Sequence, residues 1–192
     1  QLVIDCGEAG VKGIIIISAG FKEVGAEGVE LERQVLEAAR RYGIRVVGPN
    51  CLGVYDAGAE LELCSEDLVP GSIGLVSQSG NLALEVGLLG AEVGLGFSRF
   101  VSLGNQADVE AQELVESFAA HEATRLIAVY LEDFRDGRAF ARACGAAGKP
   151  VVLLAGGATE AAARAARSHT GALASDLSAI RAAAVAAGIE LV

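Results

Sequence analysis

Apolar residues along this chain gather into short runs separated by stretches of helical spacing. VKGIIIIS (11–18) reads as a buried parallel strand, and AEGVELERQVLEAARRYG (26–43) carries its apolar residues along one helix face. IRVVGPN (44–50) is a second strand, ending at a Gly-Pro break, and a helix tail over roughly 2–9 precedes the unit. One βαβ unit is less than a doubly wound sheet, so the chain is expected to begin partway through a fold. The polar, acidic stretch 56–71 reads as a connection. Beyond it the strands SIGLVS (72–77), FSRFVS (97–102), RLIAVYLE (125–132), PVVLLA (150–155) and IELV (189–192) alternate with helices over 80–94, 108–120, 136–148 and 177–187. The predicted fold class is α/β: a flavodoxin-like five-stranded parallel sheet preceded by part of a Rossmann-like domain. The expected boundaries are 1–58 for the first unit, 59–70 for a linker and 71–192 for the second unit.

Composition narrows the function classes. The chain is 52% hydrophobic, with 25 glycines, three prolines and no Trp or Met, which suits helices packed closely on a sheet. Its formal net charge of −10, uninterrupted by any Lys/Arg cluster, repels a phosphate polymer and argues against nucleic acid. No apolar run approaches the roughly 20 residues of a membrane span, and there is no basic-then-apolar leader. Cys6, Cys51, Cys64 and Cys144 are scattered without a CxxC pair, so they read as buried free thiols in a reducing cytoplasm, with no metal site.

In an open parallel sheet, ligands bind outside the carboxyl ends of the strands. Those ends here carry SQSGN (77–81), SLGNQADVE (102–110), LEDFRDG (131–137) and, after the fourth strand, AGG followed by SHTG (168–171). Ser77, Ser79, Gly80 and Asn81 offer hydroxyls and N–H groups at a helix start, which suits phosphate; Ser79 reads equally as a plain helix cap. Glu132 can accept a hydrogen bond from an imidazole N–H, or be a solvated carboxylate beside Asp133. Gly104 and Asn105 form either the rim of a pocket or a helix entry capped by Asp108. His169, one of only two histidines, lies in the small, polar stretch ARAARSHTGALASD (163–176) and reads as a surface histidine, a core histidine or a nucleophile. His121, beside Glu122 at a helix end, is assigned no function.

Together GPNCLG (48–53), SQSG, FVSLGNQADV (100–109), YLE followed by DGRAF, and above all SHTGALAS (168–175) resemble the NDP-forming acyl-CoA synthetases. These are relatives of the succinyl-CoA synthetase α subunit and of ADP-forming acetyl-CoA synthetase. The resemblance runs over nearly the whole chain: 71–192 against the family's ligase domain, and 1 to about 55 against the later part of its CoA-binding Rossmann domain. It implies that His169 is a phosphohistidine, with Glu132 holding its other ring nitrogen and Ser77, Ser79, Gly80 and Asn81 binding the phosphoryl group. It implies CoA contacts from Ser18, Gly20, Asn50, Cys51, Gly104 and Asn105. Coenzyme A would bind here, whereas ADP or ATP with Mg²⁺ would bind through an ATP-grasp domain or β subunit in an oligomer. Phosphate and a carboxylic acid, most commonly acetate, complete the substrates. Where the family commonly has basic residues after the fourth strand, this sequence has AGGATE (155–160), and neither the glycine-rich start of the CoA domain nor an ATP-grasp module is in the chain. The competing expectation is a CoA- or acyl-CoA-sensing module of a multidomain lysine acetyltransferase.

Overall fold

The computed structural model describes residues 1–64, 68–156 and 177–192. Its first unit pairs β1 (Gly13–Ile15) in parallel with β2 (Arg45–Val47), Gly13 opposite Arg45 and Ile15 opposite Val47. A 3-10 turn (Lys22–Val24) and α2 (Ala26–Tyr42) make the crossover, and α1 (Leu2–Glu8) packs beside α2. Glycine ends α2 because the chain must turn left-handed there. Gly43 sits at φ +67°, and the Ile44 N–H returns to the Ala39 carbonyl at 2.9 Å. Ile44 then enters a small core with Ala39 and Val46. The isoleucine run is less buried than its pattern predicts. Ile14, Ile15 and Ile16 are half-buried and Ile17 is 59% exposed, because β1 has β2 as its one strand neighbour among the described residues.

The second unit contains the five expected strands: β5 (Pro70–Ser77), β6 (Phe97–Ser102), β7 (Leu126–Leu131), β8 (Val151–Ala155) and β9 (Glu190–Leu191). They run parallel in the order β6-β5-β7-β8-β9, the flavodoxin-like winding. Helices α3 (Gly80–Glu92), α4 (Ala111–Ala120), α5 (Gly137–Ala146) and α6 (Leu177–Ala187) complete the described part. Alternating residues of β5 enter different cores: Val76 joins Val115, Phe118, Ile127 and Leu153, whereas Leu75 joins Ala83, Phe97 and Phe100. Each buried Val, Leu, Ile or Phe among these contributes about 1.5–3 kcal/mol. Among the described residues, no helix is long and apolar enough to cross a membrane.

Two further strands extend this sheet. β3 (Gly53–Asp56) pairs antiparallel with β6, and β4 (Leu61–Cys64) forms the outer edge. β4 therefore lies inside the stretch expected to be a connection. Leu61 and Leu63 share one face of β4 and are 40% and 52% exposed, so no buried apolar stripe announces a strand. Asp56 lies opposite Arg99 on β6, and its Oδ2 accepts from Arg99 Nε at 2.7 Å.

The units meet where the β6–α4 connection runs along the end of β2. N–H groups of Asn105, Ala107 and Val109 donate to the carbonyls of Pro49, Gly48 and Val46 at 2.8, 3.1 and 3.1 Å. Gly104 (φ +53°) allows this approach: a Cβ there would lie 2.2 Å from the Pro49 oxygen. Asp108 does not cap α4, whose N-cap is Glu110; its carboxylate instead accepts from the Val46 N–H at 2.8 Å and from Arg45 at 2.9 Å.

Candidate functional site

A cavity of about 270 Å³ opens at the carboxyl ends of the parallel strands, between the two units. The first unit contributes Ile17, Lys22, Asn50, Cys51 and Leu52. The second contributes Gln78, Ser79, Gly80 and Asn81 from the β5–α3 turn, Gly104 and Asn105 after β6, and Glu132 after β7. Eight residues singled out in the sequence thus share one wall. Ser18, Gly20 and Ser77 lie outside that lining. His169 lies outside the described residues, as do the rest of SHTG and all of AGGATE beyond Gly156.

Glu132 is held in place from several sides. The side-chain carbonyl of Gln78, itself buried, accepts from the N–H groups of Glu132 and Asp133 at 2.8 and 3.0 Å. The Tyr130 hydroxyl donates to Glu132 Oε1 at 2.9 Å. Burial, reinforced by the Glu132 charge and this hydrogen bond, pushes the Tyr130 pKa well above the usual phenol range, so the donor stays protonated. Gly156 leaves the carboxylate room, since a Cβ there would lie 2.7 Å from Glu132 Cγ. The other oxygen, Oε2, is buried and has no hydrogen-bond partner among the described residues. A buried acceptor left open in this way calls for a donor from outside the described set.

At the start of α3, Ser79 caps the helix, its Oγ accepting from the Leu82 N–H at 3.3 Å. Capping leaves the hydroxyl proton free to donate, and the Gly80 and Asn81 N–H groups have no intrahelical acceptor. Ser77 is a support: its buried hydroxyl donates to the Ser79 carbonyl at 2.6 Å. Asn105 is largely committed, its amide donating to Glu23 Oε2 (2.7 Å) and Glu32 Oε2 (3.0 Å). Cys51 donates to the Ile16 carbonyl at 3.4 Å, and burial raises its thiol pKa, so it is a neutral wall and no nucleophile. Cys51 and Cys144 are buried and Cys6 and Cys64 half-buried, all four outside disulfides. No group of three His, Cys, Asp or Glu among the described residues could hold a metal ion.

Two polar lining residues, Lys22 and Gln78, were not singled out in the sequence. Gln78 sits inside the SQSG motif, but its link to Glu132 spans 54 positions and leaves no local signal. Lys22 follows the SAGF turn and donates from Nζ to the Asn105 carbonyl at 2.6 Å. Its ammonium pKa is lowered, chiefly by burial, against the raising effect of Glu32.

Residues 70–192 match the family described as the succinyl-CoA ligase-like flavodoxin domain, and residues 1–57 match a CoA binding domain. The chain belongs to the succinyl-CoA ligase-like family of NDP-forming acyl-CoA synthetases. Within that family it is 41% identical over 193 residues to an ADP-forming acetate–CoA ligase I of Archaeoglobus fulgidus, covering 98% of this chain and 28% of that protein. It is also 41% identical over 177 residues to the α subunit of an ADP-forming acetate–CoA ligase II of Pyrococcus furiosus, covering 91% of this chain and 39% of that subunit. The acetyl-CoA synthetase 1 of Ca. Korarchaeum cryptofilum, solved with phosphate and ADP, superposes with a TM-score of 0.93 at 36% identity, over 100% of this chain and 42% of that one. The chain therefore spans well under half the length of these relatives.

Proposed function

We propose that this chain is the α-type part of an ADP-forming acyl-CoA synthetase, with acetyl as the acyl group and His169 as phosphoryl carrier. A phosphate oxygen attacks the thioester carbonyl of acyl-CoA and the CoA thiolate leaves, giving an acyl phosphate. An imidazole nitrogen of His169 then attacks phosphorus and the carboxylate leaves. The phosphoryl group passes to ADP, and the sequence also runs in reverse.

The observation that carries this reading is the open, buried Oε2 of Glu132. An imidazole nucleophile needs an acceptor for its other N–H, and a carboxylate there stabilises the charge that develops as the ring attacks. The Ser79 hydroxyl and the Gly80 and Asn81 N–H groups supply donors for phosphoryl oxygens at the positive end of the α3 dipole. CoA contacts fall to the SAGF and GPNC turns, with Ser18 exposed at the approach and Asn50, Cys51, Gly104 and Asn105 in the cavity wall. The functional division is 1–58 for CoA and 71–192 for phosphoryl chemistry. ADP and Mg²⁺ are assigned to an ATP-grasp partner, domain or β subunit, in an oligomer. The short span against the relatives agrees with such a partner, and the buried thiols of Cys51 and Cys144 with a reducing, cytoplasmic setting.

The test is phosphoryl transfer in the full-length protein with its ATP-grasp partner. Labelled ATP and Mg²⁺ should give an acid-labile, base-stable phosphate on the wild type and none on His169→Ala. A folded wild type that takes up no label, even from acyl-CoA and phosphate, would refute the reading and leave CoA sensing.

A further inference from the structure

The cavity contains a negative charge of its own, Glu132, yet the proposed substrates that must enter it are anions. Among the described lining residues Lys22 is the one base. Its Nζ carries three donors and has a single acceptor among the described residues, the Asn105 carbonyl at 2.6 Å. That bond fixes the ammonium on the wall, and the remaining two N–H groups are unclaimed by any described residue. The groups acting on Lys22 come from every side: Glu23 on its own turn, Glu32 on α2, and Asp133 and Arg135 in the β7–α5 loop. Both nearby glutamates are already occupied. Glu23 accepts from the Gly20 and Phe21 N–H groups and from Asn105, and Glu32 accepts from Asn105 and, at 3.5 Å, from the Lys22 N–H. The Lys22 side chain makes no ion pair within 4.0 Å of any described carboxylate. A partly buried ammonium anchored by a carbonyl rather than neutralised by a carboxylate is poised to bind an anion.

We infer that Lys22 is the cationic anchor for a small oxyanion in this cavity, the phosphate or the substrate carboxylate, opposite the donors at the start of α3. It supplies from the first unit the positive charge that AGGATE does not offer after β8. The inference deepens the synthetase reading and rests on it for the identity of the anion, though the binding itself can be measured without turnover.

Inorganic phosphate and acetate are titrated separately into the full-length protein by calorimetry, on wild type, Lys22→Gln and Lys22→Arg, with thermal melting as a check on folding. Wild type and Lys22→Arg should bind one of the two anions, and Lys22→Gln should bind it at least about tenfold more weakly, since loss of a charge-assisted contact is worth about 1.4 kcal/mol or more. Loss of phosphate binding alone assigns the subsite to phosphate, and loss of acetate binding alone assigns it to the carboxylate. Should Lys22→Gln fail to fold, wild-type affinity is followed upward in pH through the range where phosphate is already dianionic. It should fall as the Lys22 ammonium, its pKa lowered chiefly by burial, loses its proton, and Lys22→Arg, whose guanidinium keeps its charge, should hold its affinity over the same range. In turnover assays KM for the anion should rise while KM for CoA stays put. Equal affinities in Lys22→Gln and wild type, or a wild type that binds neither anion, would overturn the inference. A protein that binds anions through Lys22 but never forms phosphohistidine would instead overturn the synthetase reading alone.

Discussion

Glu132→Gln keeps the shape of the side chain and removes its charge. The Tyr130 hydroxyl still finds an acceptor at the amide oxygen, but the open Oε2 becomes an NH₂ group that cannot accept from an imidazole N–H. Phosphohistidine formation should fall on the order of 100-fold, the usual cost of losing one electrostatic stabiliser, while the melting temperature changes little. Rapid-quench labelling measures the rate; a variant that labels as fast as wild type would separate Glu132 from the chemistry. At this scale the sequence was partly legible. A carboxylate ending an apolar strand is a local pattern that offered Glu132 as a candidate, but it suits a solvated loop carboxylate equally well, and only the resemblance to a family singled the residue out. The clamp around it was not legible, because Gln78 and Gly156 act through contacts closed only by the folded sheet. Lys22 escaped for the same reason: nothing near residue 22 tells of a carbonyl 83 positions away.

Secondary elements were read from periodicity wherever burial was on one face or complete. β5 through β8 and α2 through α5 meet that condition, and their places agree within a few residues with the pattern; β9, with neither of its two residues buried, was read from its apolar run alone. β4 does not meet the condition: its leucines face outward and its neighbours are acidic, so the apolar stripe that betrays a strand is missing. Glycine spacing was informative where a turn was forced. Gly104 lies at φ +53°, and a methyl group there would strike the Pro49 and Asn50 oxygens at 2.2 and 2.4 Å. Gly104→Ala should therefore cost at least about 2 kcal/mol, combining left-handed strain with displacement of the β6–α4 connection from β2. Urea unfolding measures it, and a change within about 0.5 kcal/mol would mean the seam relaxes freely.

Across the whole molecule, two carboxylates make acid stability a readout of how the parts are joined. Glu23 lies at the seam between the units, and Asp56 ties β3 to β6. Burial raises both pKa values, but hydrogen bonds outweigh it: Asn105 and the Gly20 and Phe21 N–H groups for Glu23, and the Ala59 N–H, Arg99 and the Gly58 N–H for Asp56. Both folded values end below the ordinary ones of 4.5 and 3.8. A depressed folded pKa means that the unfolded chain takes up the proton first. The stability from these groups is then fully present above the unfolded pKa and is lost as pH falls through the folded one. Urea midpoints should accordingly hold steady from neutral pH down to about 5 and decline below about 4. Glu23→Gln should flatten that decline, because the amide no longer titrates and its oxygen still accepts from Gly20 and Phe21. Asp56→Asn should flatten it separately, since the two sites lie in different units and share no hydrogen-bond partner. If each variant loses stability in acid as steeply as wild type, neither the seam nor the sheet edge sets the acid limit of this fold.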